Sequence, residues 1–223
     1  MISVSVVIPA WNAAGHIGAA IESVLCQSEA PDEIIIVDDG STDHTSECVR
    51  TFGSRVTLIA QSHAGVAAAR NRGIAAAQGE AIALLDADDL MAPRRIELQR
   101  AVLADDPHCA VALGKQLTFR SEQERLALDS STINLSAVRP GYVPSAAMVR
   151  ASVFGLVGPF DAALPIGDFL DWITRAQSRG APIKAMEQVV AYRRLHEGSL
   201  SRSAGAQYAD LVHRLRRKTS KTE

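Results

Sequence analysis

Residues 81–89 read Ala81-Ile82-Ala83-Leu84-Leu85-Asp86-Ala87-Asp88-Asp89, an apolar run that stops on three carboxylates. An apolar stretch of that length reads as a strand covered on both faces. Open α/β sheets take their ligands beyond the carboxyl ends of their strands, so the acids lie where a ligand would bind. Clustered carboxylates are costly unless a cation compensates them. Oxygen ligands at this spacing suit Mg²⁺ or Mn²⁺, bound through one or two carboxylates together with substrate phosphates. The chemistry to expect is a metal–phosphate site.

Other candidates fall at similar places. Val37-Asp38-Asp39-Gly40-Ser41-Thr42-Asp43 sets two acids at the end of a second strand, before helix-capping residues. Asp39 is expected to accept hydrogen bonds from a ribose or base, and Asp43 to cap the helix. Pro9-Ala10-Trp11-Asn12 closes the first strand, where Trp11 offers a stacking face for a base. The first strand-to-helix turn has no G-x-G-x-x-G, which disfavours a dinucleotide cofactor. Arg70 and Arg72 interrupt an Ala-rich helix and point in different directions. Arg70 is the better candidate for a base or diphosphate contact, whereas for Arg72 a surface salt bridge is an equal reading.

The elements that must position these residues follow from periodicity. Strands are expected at Val4–Ile8, Glu33–Val37, Arg55–Ile59 and Ala81–Leu85. Between them lie a helix with Ile17, Ile21, Val24 and Leu25 on one stripe, a second starting at Ser41-Thr42-Asp43, and a third from Gly65 to Gln78 ended by Gly79. A fourth helix is expected to carry Pro93 in its first turn. Repeated β-α-β units imply a doubly wound, mostly parallel sheet flanked by helices. Beyond residue 110 the pattern weakens: a strand at Val111–Phe119, a poorly patterned stretch Ser121–Pro140, a helix at Asp168–Arg179, a strand at Ile183–Tyr192 and a last helix at Ala206–Lys218.

The 223 residues suit one large domain, and 47% hydrophobic with 22% charged residues is ordinary for a soluble protein. A net charge of −2 argues against nucleic acid, and the basic end (Arg214, Arg216, Arg217, Lys218, Lys221) allows peripheral membrane contact at most. Cys26, Cys48 and Cys109 share no metal-ligand spacing and read as buried or neutral thiols of a reducing compartment. No signal-peptide pattern or bilayer-length apolar stretch is present, so a cytoplasmic enzyme is expected.

Taken in order, Val7-Ile8-Pro9-Ala10-Trp11-Asn12, Val37–Asp43, Ala68-Ala69-Arg70-Asn71-Arg72-Gly73 and Asp86-Ala87-Asp88-Asp89 resemble the landmarks of family 2 glycosyltransferases. Gly158-Pro159-Phe160-Asp161 and Tyr192-Arg193-Arg194-Leu195-His196-Glu197-Gly198-Ser199-Leu200-Ser201 resemble the later ones, so the likeness spans residues 3–202. It implies a GT-A fold and inverting transfer from a nucleoside diphosphate sugar, with uridine foremost and guanosine or thymidine open. It also implies a nucleotide-sugar half (1–115), an acceptor and catalytic half (116–204) and a C-terminal helix with basic tail (205–223). Pro9, Ala10, Trp11 and Asn12 would border the base, Asp39 would bind base or ribose, and Arg70 base or phosphate. Asp86 and Ala87 would lie near the ribose, Asp88 would hold the Mn²⁺ or Mg²⁺, and His196 would approach metal or diphosphate. The acceptor, whether saccharide, lipid-linked, peptide or small molecule, is not legible.

The general base is where the sequence departs from the family pattern. Relatives commonly carry Gly-Glu-Asp; here stands Pro165-Ile166-Gly167-Asp168-Phe169-Leu170-Asp171-Trp172. Asp168 and Asp171, three apart, share a helix face, and either could reach an acceptor. Asp168, at the helix mouth, is the expected base, with simple N-capping as its alternative role. A nucleotidyltransferase would need a basic, Gly-rich first loop, which residues 9–18 lack. The altered Gly167-Asp168 segment motivates a nucleotide-sugar-binding protein with little turnover as the competing reading.

Overall fold

Strand β1 (Val4–Ala10) is buried at every position. Val4, Val6, Ile8 and Ala10 enter one core layer and Val7 the other, as the two-residue repeat of a strand between two helical layers requires. The computed structural model describes residues 1–121, 123–124 and 138–196. Around β1 lie β2 (Glu33–Asp38), β3 (Thr57–Ala60) and β4 (Ala81–Leu84), all parallel, in the order β3-β2-β1-β4. Ala10 pairs with Asp38 and Val7 with Leu84, which aligns the carboxyl ends of three strands. The direction of winding reverses between β1 and β4, the place where such sheets bind ligands.

Helices α1 (Ile17–Leu25), α2 (Thr45–Arg50) and α3 (Val66–Ala76) connect these strands. The stripe Ile17, Ala20, Ile21 and Val24 packs α1 into the first core layer, and Ala67 of α3 enters the second. Gly79, expected as the cap of α3, serves otherwise. The helix closes at Ala76–Ala77, and Gly79 passes so close to β1 that a Cβ would lie 2.5 Å from Ser5 Oγ. Its N–H donates to that hydroxyl at 2.8 Å. Pro93 also falls outside its helix: α4 (Arg95–Asp105) starts two residues later, because Ala92 and Pro93 are held by backbone bonds to Val190 and Ser28.

Beyond β4 the pairing changes sense. β5 (Leu90–Met91), β6 (Val111–Phe119), β7 (Val138–Pro140), β8 (Ala147–Arg150) and β9 (Ile183–Arg194) extend the sheet as β4-β8-β6-β9-β5, with β7 beside β6. Only β6–β9 is parallel among these pairs; β4–β8, β6–β8, β6–β7 and β5–β9 are antiparallel. α5 (Ala151–Val157) and α6 (Asp168–Ser178) cover the second face through Val153, Val157, Phe169, Trp172 and Ile173. The architecture is the expected GT-A-type α/β sheet with helices on both faces. The short β5–β9 pairing folds the chain after the acids back beneath residues 192–196.

Among the described residues no helix is long and apolar enough to cross a membrane. The three thiols are free, and Cys26, read as buried or neutral, is exposed because it caps α1 just past the apolar stripe. The expected helix 206–218, residues 197–201 of the last motif and the basic tail lie outside the described residues.

Candidate active site

At the ends of β1 and β2 the backbone turns sharply to present one aromatic ring. Pro9 and Ala10 are buried in the sheet, whereas Trp11 is 52% exposed. Asn12 follows at φ 48°, the one non-glycine with positive φ among the described residues. That conformation is uncommon for a non-glycine residue, and Asn tolerates it better than most. Asn12 is locked there by Ser41 Oγ, which accepts from its N–H at 2.9 Å, and by Thr42, whose N–H donates to its Oδ1 at 2.8 Å.

Asp39 is 2% exposed, and its carboxylate is fully engaged by the loop before α3. Oδ1 accepts from Gln61 Nε2 (2.7 Å) and Ala64 N (2.9 Å), Oδ2 from Gly65 N (2.8 Å). His63 Nδ1 lies 2.9 Å from Oδ2 and 3.1 Å from the Asp39 carbonyl oxygen. Asp39, expected to touch a ligand, is held by the loop whose His63 stacks on Trp11, ring centroids 4.4 Å apart. Gly40 permits this approach at φ 71°, where a Cβ would stand 2.7 Å from His63 N. Asp43, expected to cap the helix, does not: His44 is the N-cap residue of α2 and makes no side-chain cap bond. Asp43, one residue earlier, accepts from Thr45 N at 3.0 Å and from Ala14 N at 3.0 Å, tying the start of α2 to the chain after β1.

The acids after β4 do not act as one cluster. A tight turn, closed by Asp89 N donating to Asp86 O at 3.1 Å, sends successive side chains in different directions. Asp86 receives Arg70 Nη2 at 2.5 Å and keeps 29% of its side chain exposed. Ala87 is buried in the core. Asp88 faces outward, its Oδ2 3.0 Å from His196 Nε2, each side chain about a third exposed. Asp89 turns inward at 3% exposure and accepts from Arg194 N at 3.0 Å. Burial, then the charges of Asp88 and Asp86, push its carboxyl well above the usual carboxylate range. Asp89 is therefore removed from the three-carboxylate cluster read from the sequence.

Several residues without a sequence-assigned role complete this edge. Fully buried Arg95 donates to the carbonyl oxygens of Leu84, Ser145 and Ala147, tying α4 to the end of β4. Arg194 donates to the Asp88 carbonyl at 3.1 Å and lies over the Phe119 ring. His16, at the head of α1, brings its ring 4.9 Å from that of His196. Burial, then the charges of Arg194 and His196, hold the His16 imidazole below its ordinary pKa. Among the described residues no three His, Cys, Asp or Glu side chains are grouped to hold a metal ion. The pair Asp88 and His196 nonetheless fits a hard cation that arrives with a diphosphate, because Mg²⁺-type ions keep most of their positions for phosphate and water oxygens.

In the second half of the chain, Gly167 in the left-handed region (φ 75°) is the N-cap of α6, so Asp168 is its first helical residue and caps nothing. The Asp168 carboxylate pairs with Arg70 Nη1. The accessibility expected of the helix mouth is reversed: Asp168 is buried, whereas Asp171 is half-buried and pairs with Arg175 at 2.8 Å. The cause is α3, which presses the buried Arg70 against the start of α6. Arg72 is exposed, in line with its surface reading. Asn71 exchanges two hydrogen bonds with the backbone of Phe160 (2.8 and 2.9 Å), and Trp172 Nε1 donates to Gly158 O at 2.8 Å. The Ala68–Gly73 and Gly158–Asp161 motifs thus meet in space and set the angle of α6.

Residues 5–154 match the family described as Glycosyl transferase family 2. The succinoglycan biosynthesis protein ExoO of Rhizobium meliloti (strain 1021) is 34% identical over 234 residues, covering 94% of this chain and 65% of that protein. The UDP-Glc:alpha-D-GlcNAc-diphosphoundecaprenol beta-1,3-glucosyltransferase WfgD of Escherichia coli is 39% identical over 102 residues, 45% of this chain and 40% of that one. The chain therefore spans less than two thirds of the length of either relative. Among solved structures, S. aureus TarS 1-349 superposes with a TM-score of 0.70 at 21% identity, covering 86% of this chain and 60% of that one. The same protein in complex with UDP-GlcNAc gives 0.68 at 22% identity, covering 89% and 60%.

Proposed function

The chain belongs to glycosyl transferase family 2, and from that premise we propose that it transfers a sugar from a UDP-sugar to an acceptor hydroxyl with inversion at the anomeric carbon. The reading is carried by one juxtaposition. Outward-facing Asp88 with His196, and half-exposed Asp86 joined through Arg70 to Asp168, all stand at the sheet edge where the winding reverses. A donor laid across that edge has its base against Trp11, its ribose near Asp86 and its diphosphate near Asp88 and His196. Stacking on Trp11 is sequence-tolerant, so the loop around His63 and Asp39 supplies the shape that selects the base.

Asp88 and His196 would hold the Mn²⁺ or Mg²⁺, which when bound supplies charge neutralisation for the departing nucleoside diphosphate. Asp168 takes the acceptor proton. One of its oxygens is held by Arg70 and the other makes no hydrogen bond among the described residues. Inversion needs only this single carboxylate on the face opposite the leaving group, and no covalent enzyme intermediate. The reading is of an enzyme working on the cytoplasmic side, where nucleotide sugars are made.

The test is a thermal-shift and UDP-release panel with UDP, UDP-GlcNAc and UDP-glucose, each with and without Mn²⁺. A melting shift with UDP that requires Mn²⁺, with slow hydrolysis of one UDP-sugar, is the expected result, since ligand linkage raises apparent stability. Mn²⁺-dependent binding with no hydrolysis and no transfer to any of a broad acceptor set would establish the nucleotide-sugar-binding reading instead.

A further inference from the structure

Arg70 carries a charge into a place where nothing but carboxylates can keep it. It is 4% exposed, on the inner face of α3 beside Ala67, Ala69 and Gly73. Nη2 donates to Asp86 Oδ1 at 2.5 Å and Nη1 to Asp168 Oδ2, while Nε is buried and has no partner among the described residues. The two acids come from the end of β4 and the start of α6, 16 residues after Arg70 in one case and 98 in the other. A guanidinium is planar, and its two Nη atoms hold a fixed spacing, so partners on both are fixed relative to each other. Burial opposes the charge, but the two acids outweigh it and hold the guanidinium above its ordinary pKa.

The geometry points to Arg70 as a positioning residue: a clamp that fixes the donor-side Asp86 relative to the acceptor-side Asp168, without touching the nucleotide. This rests on the glycosyltransferase reading above. Each carboxylate gives one oxygen to Arg70 and keeps the other: Asp86 toward the ribose, Asp168 toward the acceptor hydroxyl. Lysine, a point donor, can hold one carboxylate but cannot set the spacing of two. A positional error near 1 Å at such a pair costs about a hundredfold in rate.

The experiment compares the full chain with Arg70→Lys and Arg70→Met, measuring UDP affinity by calorimetry in Mn²⁺ and the rate of UDP-GlcNAc hydrolysis. Expected is an affinity within about threefold of the original in both variants, with turnover down about a hundredfold in Arg70→Met and by an intermediate factor in Arg70→Lys. Turnover and UDP affinity falling in step, tenfold or more in Arg70→Lys, would make Arg70 a direct nucleotide contact and overturn the clamp. Should Arg70→Met not fold, Asp86→Asn, Asp168→Asn and the double variant are compared for their unfolding equilibrium constants in urea. A departure from additivity of more than about threefold supports coupling through Arg70, and additive effects refute it. If the unchanged protein neither binds UDP nor hydrolyses the sugar nucleotide, the glycosyltransferase reading itself falls, a result separable from failure of the clamp alone.

Discussion

Asp39 at the end of β2 and Asp88 after the end of β4 stand at the same edge of one sheet, yet they are held in opposite ways. The Asp39 carboxylate rests on two backbone N–H groups and the Gln61 amide of a loop no more than 26 residues away, with His63 beside it. Asp88 meets His196, 108 residues later, and Asp168 meets Arg70 across 98 residues. The first arrangement is a rigid frame whose acid has no spare capacity. The second sets acids against cationic or titratable groups, Asp88 about a third exposed and Asp168 buried with one carboxylate oxygen unbonded among the described residues, which leaves capacity for a ligand. Frame and reacting edge are therefore different carboxylates, although both stretches read alike as Asp pairs.

The contrast is broken most directly at Asp88. Asp88→Asn removes the charge but keeps the shape, and should lower UDP-sugar turnover by about a thousandfold while the melting temperature moves little. Loss of Mn²⁺ dependence in UDP titrations is the accompanying sign. Unchanged turnover would place the working acid elsewhere. Trp11→Ala should act on binding alone: UDP affinity down roughly tenfold, from about 1–3 kcal/mol of base stacking, with the maximal rate nearly preserved. Asp39→Asn should do the reverse of Asp88→Asn. It removes charge-assisted bonds from a buried acceptor, so stability should fall by about 2 kcal/mol, read as a lower denaturant midpoint. Its effect on turnover should follow from looser seating of His63 and Trp11.

The same division governs how much could be read from the chain alone. The parallel half announces itself: Val4–Ala10, Glu33–Asp38 and Ala81–Leu84 are apolar runs, and the bond from Thr45 N to Asp43 at the start of α2 is local chemistry. Where contacts are distant, spacing is silent. That Asp89 would turn inward, that Arg70 would take Asp86 and Asp168 as partners, and that Asp168 would be the more buried acid all depend on α3, α6 and β9 meeting in space. His16, His63, Asn71 and Arg95 were missed for the same reason, though one signal existed for Arg95. An arginine beside apolar helix positions, as Arg95 stands beside Ile96, must find carbonyl or carboxylate partners if it is buried, because an unpaired buried charge is too costly.

The smallest expected effect, and the finest test of the contrast, is the opposite pH behaviour of Asp38 and Asp89. Burial pushes the Asp38 carboxyl up, but hydrogen bonds from Ser41 and Ser46 outweigh it and hold it below the usual range. A depressed folded-state pKa means that the ionised form favours the fold. That stabilisation is complete above the unfolded-state value near 3.9 and is lost as pH falls through the folded-state value. Asp89 is shifted the other way, so its contribution is complete at low pH and is lost as pH rises through its elevated folded-state value. Asp38→Asn should therefore destabilise at pH 7.5 and still at pH 4, becoming neutral only as pH falls through the folded-state value of Asp38. Asp89→Asn, which keeps an oxygen for Arg194 N, should be close to neutral at pH 4 and stabilising at pH 7.5. Urea unfolding of both variants in metal-free buffer at the two pH values reads the signs directly. If Asp89→Asn destabilises more at pH 7.5 than at pH 4, Asp89 is ionised in the folded protein, and it then belongs with Asp88 at the reacting edge rather than in the core.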